Sequence, residues 1–331
     1  MDLSTSILGL KLKNPLIASA SPLTGSLESI KKLENNGISA VIVHSLFEEE
    51  INHEIHQIDH FLHINNDSNA EGTSYLPSEV DFDNLQADQY LEKIRRIKEG
   101  VSIPVIASLN GVSSGGWVCF AKKLQDTGAD ALELNITYIP TSLELEGYAV
   151  EQMYVDTVAT VAEQISIPLN VKMNPCFSNP ANMAKRFVEA GAKGLSLFDN
   201  PTLVDVDLEL LTPLQRANIT SSGRLSETLR WCAILYKKLS CSLCANTGIH
   251  TGEDVLKAIM SGADAAALAS VLLIKGEDEI KQILSDMGEW MEKHEYESIS
   301  QMKGSISLIH TDNPSIYERN SYMYALQHYR R

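Results

Sequence analysis

The sequence predicts a closed parallel α/β barrel, a (β/α)8 fold, on three observations. Eight short apolar runs alternate with helical patterns along the chain. The runs are continuous and do not alternate, as strands buried on both faces do. Two phrases, EAGAKGLSL and MSGADAAAL, repeat the order helix, Gly-Ala, short strand, as a quasi-repeating barrel would. A doubly wound open sheet is the alternative. No linker composition interrupts the chain, so residues 1–331 read as one barrel domain with a core over about 14–290.

Residues 4–13 alternate and form a small hairpin ahead of the barrel. Strand one is Asn14–Ser21, stopped by Pro22. Helix one, Ser26–Gly37, opens on a serine and closes on a glycine, the residues helix ends prefer. Strand two is Ala40–Ser45, and a polar insertion follows over about 50–84. Helix two covers Asp83–Gly100, strand three Ile103–Gly111, and helix three lies within Gly116–Asp130. Strand four is Ala131–Asn135, helix four about Val150–Ile165, and strand five the run LNVKM that ends at Asn174-Pro175. Helix five lies within Asn182–Gly194 and strand six is Gly194–Phe198. After an irregular stretch come helix six, Ser226–Ser240, and strand seven, Ser242–Asn246. Helix seven, Thr251–Asp264, starts with a capping-box pair, Thr251 and Asp254; strand eight is Ala265–Ser270. The helical and irregular tail, about 295–331, is tyrosine-rich (Tyr317, Tyr322, Tyr324, Tyr329). It packs on the barrel or on a second subunit, so a homodimer is one expectation.

Composition excludes several classes. Lys+Arg is 27 against 43 Asp+Glu, a net charge of −16, which opposes a nucleic-acid or anionic-membrane surface. No apolar run approaches the ~20 residues of a membrane span. The start of the chain does not read as a signal peptide. Five cysteines without a disulfide framework suit a reduced, cytoplasmic setting. Cys241 and Cys244 have C-x-x-C spacing, but residues three apart on a strand face opposite ways. No metal site is expected from them. His53, His56, His60 and His63 share one face of a helical pattern, either a solvated face or a metal-binding lid. Trp117, Trp231 and Trp290 read as helix-packing residues.

Barrels keep their chemistry at the C-terminal ends of their strands. There the chain carries Ala20-Ser21, His44-Ser45, Asn110 and Asn135. Strand five brings Lys172 and Asn174, and strand six ends in Asp199-Asn200. Strands seven and eight end in Asn246-Thr247-Gly248 and Ala269-Ser270, small-residue turns ahead of helices that favour an anion such as phosphate. A lysine within an apolar strand is costly to bury unless an anion meets it, which singles out Lys172.

With these residues in place, the chain resembles the dihydroorotate dehydrogenase family of FMN-dependent barrels over about residues 3–290. The resemblance rests on NPLIASAS, on ELN at the end of strand four, on VKMNP, and on TGIHTGEDVLKAIMSGAD. It implies an oxidoreductase of pyrimidine metabolism that acts on a CH–CH bond of a small molecule. FMN would lie in the mouth, with Lys172 at its N1/O2 edge, Ala20 and Ser21 against the ring, and Asn135 between flavin and substrate. Ser45 and Asn110 would join the ring site. Thr247, Gly248, Ala269 and Ser270 would hold the phosphate.

The substrate side departs from the family pattern. Strand two usually ends in Lys-Ser, where this chain has His44-Ser45. The family loop Asn-x-Ser-Cys-Pro-Asn, or its serine version, reads Asn135-Ile136-Thr137-Tyr138-Ile139-Pro140 here. Tyr138 thus stands at the position of the catalytic base, with Thr137 beside it, and the loop's later asparagine is missing. His44 is the other titratable candidate. Asp199 stands where an asparagine is expected, with Asn200 and Asn174 as further substrate-side candidates. Ser221-Ser222-Gly223-Arg224 replaces a glycine-rich flavin stretch. The chain thus resembles a divergent branch of the family more than a pyrimidine-pathway enzyme. Two other classes stay open: a ligand-binding barrel without turnover, and a flavin-free aldolase-like barrel with Lys172 as a Schiff-base lysine.

Overall fold

A computed structural model describes residues 1–48, 85–111, 118–200, 202–319 and 322–328. The histidine cluster, Trp117 and Tyr329 lie outside these residues.

Two short strands, β1 (Thr5–Ile7) and β2 (Leu10–Leu12), form the expected antiparallel hairpin. The barrel strands follow. These are β3 (Leu16–Ala18), β4 (Ala40–Ile42), β6 (Val105–Asn110) and β7 (Ala131–Asn135). The second half is β8 (Leu169–Met173), β9 (Gly194–Leu197), β12 (Ser242–Ala245) and β13 (Ala265–Leu268). All pair in parallel, and the β4–β6 pairing closes the ring; β5 (Leu46–Phe47) adds to β6. The (β/α)8 barrel is therefore the fold, with the order of elements that the sequence predicts.

Helix ends follow local chemistry. Helix α1 (Leu27–Asn36) starts where Ser26 accepts a hydrogen bond from the Ser29 N–H, and stops where Gly37 takes φ +114°. Residues 252–261 begin a helix with both halves of the Thr251/Asp254 capping box formed. Helix six is shorter than expected: it ends at Leu235, and Lys237 at φ +57° turns the chain towards β12. The stretch read as irregular after strand six contains a second antiparallel hairpin, β10 (Leu203–Asp207) with β11 (Thr212–Arg216). Both its faces are largely exposed, so no core-facing alternation marked it. The start of the tail packs back on the barrel, where Gly304 N–H donates to Ile259 O and Leu308 N–H to Ala233 O.

The period of two along each strand decides what enters the barrel. Outward residues such as Leu132, Leu134, Val171 and Leu195 meet the surrounding helices in the main core. Inward residues build layers. The lower layer is apolar, with Ile17, Ile42, Ile106 and Cys244 meeting Ile7, Leu8 and Leu12 of the first hairpin, which plugs that end. A Cβ on Gly194 would come within 2.5 Å of Leu8, so glycine starts β9. Cys244 points into this layer while Cys241 packs on the outer core, the opposed placement that argues against joint ligation. All four described cysteines are free, and no metal-binding cluster occurs among the described residues. No helix among them is long and apolar enough to cross a membrane.

Candidate active site

Above the apolar plug the inward positions turn polar. Glu133 of β7 is fully enclosed, and its carboxylate lies 2.7 Å from the Lys172 ammonium. Its other oxygen accepts from Asn170 Nδ2 at 3.0 Å and from Ser196 Oγ at 3.2 Å. Glu133, Asn170, Lys172 and Ser196 are all inward residues of three adjacent strands, in registers that put them side by side. Burial disfavours the Lys172 ammonium, but Glu133 and Asp199 outweigh that penalty and hold its pKa above the usual lysine range. Glu133 was not among the residues expected here. The legible signal was its place two before Asn135 in ALELN, hence on the same face.

Lys172 also opens upward onto a cavity of about 500 Å³ at the C-terminal ends of the strands. Thirteen of the expected residues line it, Asn246 among them. Ala20, Ser21, His44 and Ser45 come from the ends of the first two barrel strands, and Asn110 and Asn135 from the next two. Lys172, Asp199 and Asn200 form the following wall, and Gly248, Ala269 and Ser270 the last. Ser45 Oγ lies 2.8 Å from Ser108 Oγ, and Ser19 Oγ donates to Asn246 Oδ1 at 2.9 Å. Asp199 receives Asn135 Nδ2 at 3.4 Å, and burial raises its carboxyl pKa despite the nearby Lys172 ammonium.

Four expected residues do not line the cavity. Thr247 donates its hydroxyl to Phe198 O at 2.9 Å, so it braces the strand end. Asn174 accepts from the Cys176 N–H and closes a turn. Thr137 donates to Asn135 Oδ1 at the long distance of 3.5 Å. Tyr138 packs against the core, and its N–H donates to the Tyr154 hydroxyl at 3.2 Å.

The last wall was only partly foreseen. Residues 217–220, after the second hairpin, run along the cavity. Thr220 donates its N–H to Ser270 Oγ at 3.1 Å, and Asn218 Nδ2 donates to Asn200 Oδ1 at 2.7 Å. Gly248 has φ +82°, and a Cβ there would meet Leu225 N at 2.4 Å, so the turn passes closely against the start of the preceding helix, Leu225–Leu235.

A (β/α)8 barrel with a buried ammonium, amides and hydroxyls at the C-terminal ends of its strands carries its candidate site where barrel enzymes carry theirs. The sequence profile of the family "Dihydroorotate dehydrogenase" matches residues 2–291, and the chain belongs to that family. Relatives include the "Dihydroorotate dehydrogenase B (NAD(+)), catalytic subunit" of Thermoplasma acidophilum, 27% identical over 92% of this chain and 98% of the relative. The protein of the same name from Alkaliphilus metalliredigens is 23% identical over 92% and 99%. The "Dihydroorotate dehydrogenase A (fumarate)" of Lactobacillus delbrueckii subsp. bulgaricus is 26% identical over 69% of this chain and 76% of the relative. The family consists of flavin-dependent dehydrogenases that use FMN, and the chain is a dihydroorotate dehydrogenase-like oxidoreductase.

Proposed function

We propose that the cavity holds FMN beside a rewritten substrate site, and that the protein oxidises or reduces a CH–CH bond of a small ring other than dihydroorotate. The observation that carries this is the Lys172 ammonium, fixed from below by Glu133 and opening onto the cavity. The residues present suit FMN. The cavity falls within the ~300–1,000 Å³ of cofactor sites. Gly248 lines the cavity, and Ser270 and Thr220 beside it offer hydroxyls that suit a phosphate. Ala20, Ser21, Ser45, Asn110 and Asn135 would surround the ring.

When bound, FMN supplies the hydride acceptor. The chain's own part is electrostatic. With FMN bound, Lys172 would stabilise negative charge on the reduced ring, and Glu133 already orients it for that role. Asn135 links the ring site to Asp199. The proton side is the weak point for dihydroorotate. A phenol hydroxyl is a weak general base for taking a proton from carbon. Tyr138 moreover packs on the core, away from the cavity wall. His44 lines the cavity and is the base candidate for a different substrate. The same placement of Tyr138 favours a second reading, a flavin-binding barrel without turnover.

The purified protein should be yellow or take up added FMN, and dihydroorotate should not bleach it under anaerobic conditions. A colourless protein that refuses FMN sinks the flavin reading. Steady-state dihydroorotate turnover that is lost in Tyr138→Phe would make Tyr138 the base and the altered-substrate reading wrong. A screen of dihydropyrimidine and nicotinamide donors separates the two readings: rapid reduction by one of them removes the non-catalytic one.

A further inference from the structure

The charges at the mouth do not cancel. The Lys172 ammonium is already matched by Glu133, 2.7 Å away and fully enclosed. Asp199 is a second carboxylate, and it lies on the cavity wall itself. Among the described residues that line the cavity, Lys172 is the only lysine or arginine and Asp199 the only carboxylate. One negative charge is therefore left over on the side where a substrate would stand.

Asp199 is held in place. Its N–H donates to Met173 O at 2.7 Å, and its Oδ1 accepts from Asn135 Nδ2. Its neighbour Asn200 exchanges hydrogen bonds with Asn218 across the cavity rim. An ionised carboxylate only accepts hydrogen bonds, whereas a carboxamide both gives and accepts. A wall of this make-up suits a ligand edge that offers N–H beside C=O. An anionic substituent there would meet the Asp199 carboxylate as a like charge on the cavity wall.

We propose that the substrate half of the cavity takes a ring that presents N–H groups and bears no anionic substituent, with Asp199 as the acceptor that selects it. The proposal rests on the FMN reading above, which fills the other half. Burial keeps the Asp199 carboxyl above its ordinary range, and a ligand N–H would return part of the solvation that the carboxylate has lost.

The test uses FMN-loaded protein titrated near neutral pH with uracil and with orotate, the same ring bearing a carboxylate, read by perturbation of the flavin spectrum. Uracil should bind at least about tenfold more tightly than orotate, the equivalent of one pKa unit of interaction. Asp199→Asn should raise orotate affinity by a similar factor and weaken uracil, which loses a charged acceptor. Orotate binding as tightly as uracil to the unmodified protein overturns the proposal. So does an Asp199→Asn protein with no gain for orotate, including one in which neither ligand binds. Should the variant lose FMN, the two ligands compared on the unmodified protein decide alone. Flavin uptake is read first, so a protein that takes up no FMN fails the earlier reading, while flavin-loaded protein indifferent to Asp199 fails only this one.

Discussion

The two halves of the barrel mouth are built from different materials. Over β12 and β13 the wall is backbone and small hydroxyls: the Gly248 turn, Ala269, and Ser270 bonded to Thr220. Over β7, β8 and β9 it is side chain: the Asn135 amide and the charges of Lys172 and Asp199, with Lys172 supported from beneath by Glu133. The first half depends on how closely two backbones approach. The second depends on a partner that never reaches the cavity. A substitution in each half should therefore fail for a different reason, one by steric intrusion and the other by an unmatched charge.

The largest effect belongs to the charged half. Removing one member of a buried ion pair strands the other and costs about 3–5 kcal/mol. Glu133→Ala should lower unfolding stability by about that amount, since the Lys172 ammonium would stay enclosed without its carboxylate. Replacing both, Glu133→Leu with Lys172→Met, should recover most of the stability and still bind FMN weakly. Urea unfolding and flavin retention measure the two quantities separately. If the double variant held FMN as firmly as the unmodified protein, Lys172 would be only a structural counter-ion of Glu133.

The backbone half should break at Gly248. Alanine there would place a Cβ 2.4 Å from Leu225 N and 2.7 Å from Leu225 Cα, at a φ of +82° that side chains rarely adopt. Strain of this kind costs about 1–3 kcal/mol, so Gly248→Ala should lower stability within that range and loosen FMN binding. Gly147 supplies the control. Its Cβ would meet nothing within 4 Å, so Gly147→Ala should leave both measurements in place. Equal losses in the two variants would refute the close-approach argument.

The same contrast explains what could be read in the sequence. The barrel was legible because buried strands and capped helices are local patterns: LNVKM, the Ser26 and Thr251 caps, and Gly37 all stand where the pattern puts them. Strand ends named most of the cavity wall for the same reason. The place of Glu133, two before Asn135, marks it as inward-facing, but its importance comes from the neighbour it meets across strands through the β7–β8 register. Thr247 and Tyr138 sit at suggestive positions but turn to Phe198 and towards the core, a choice that rotamers and packing make after the backbone is set. The wall at 217–220 reaches the mouth only by way of the exposed β10–β11 hairpin, which has no core face to announce it.

The smallest effect expected is also the one that separates fold from function at Asp199. Its folded pKa is raised above the ordinary aspartate value of 3.8, chiefly by burial, with Lys172 pulling the other way. The native state therefore keeps a proton that the unfolded chain has released. Below 3.8 both states are protonated and the residue costs nothing. As pH rises from there through the folded value, stability falls, and above it the full cost of the buried carboxylate is present. Asp199→Asn removes that cost while keeping the shape. The variant should unfold at higher urea than the unmodified protein near neutral pH, and the gain should shrink on acidification towards 3.8. A gain that is the same at both ends of this range would mean the asparagine packs better for reasons unrelated to charge. A loss at neutral pH would mean that the attraction between Asp199 and Lys172 outweighs the burial penalty, which would give the carboxylate a structural reason to be there and weaken the case that it is kept for a ligand.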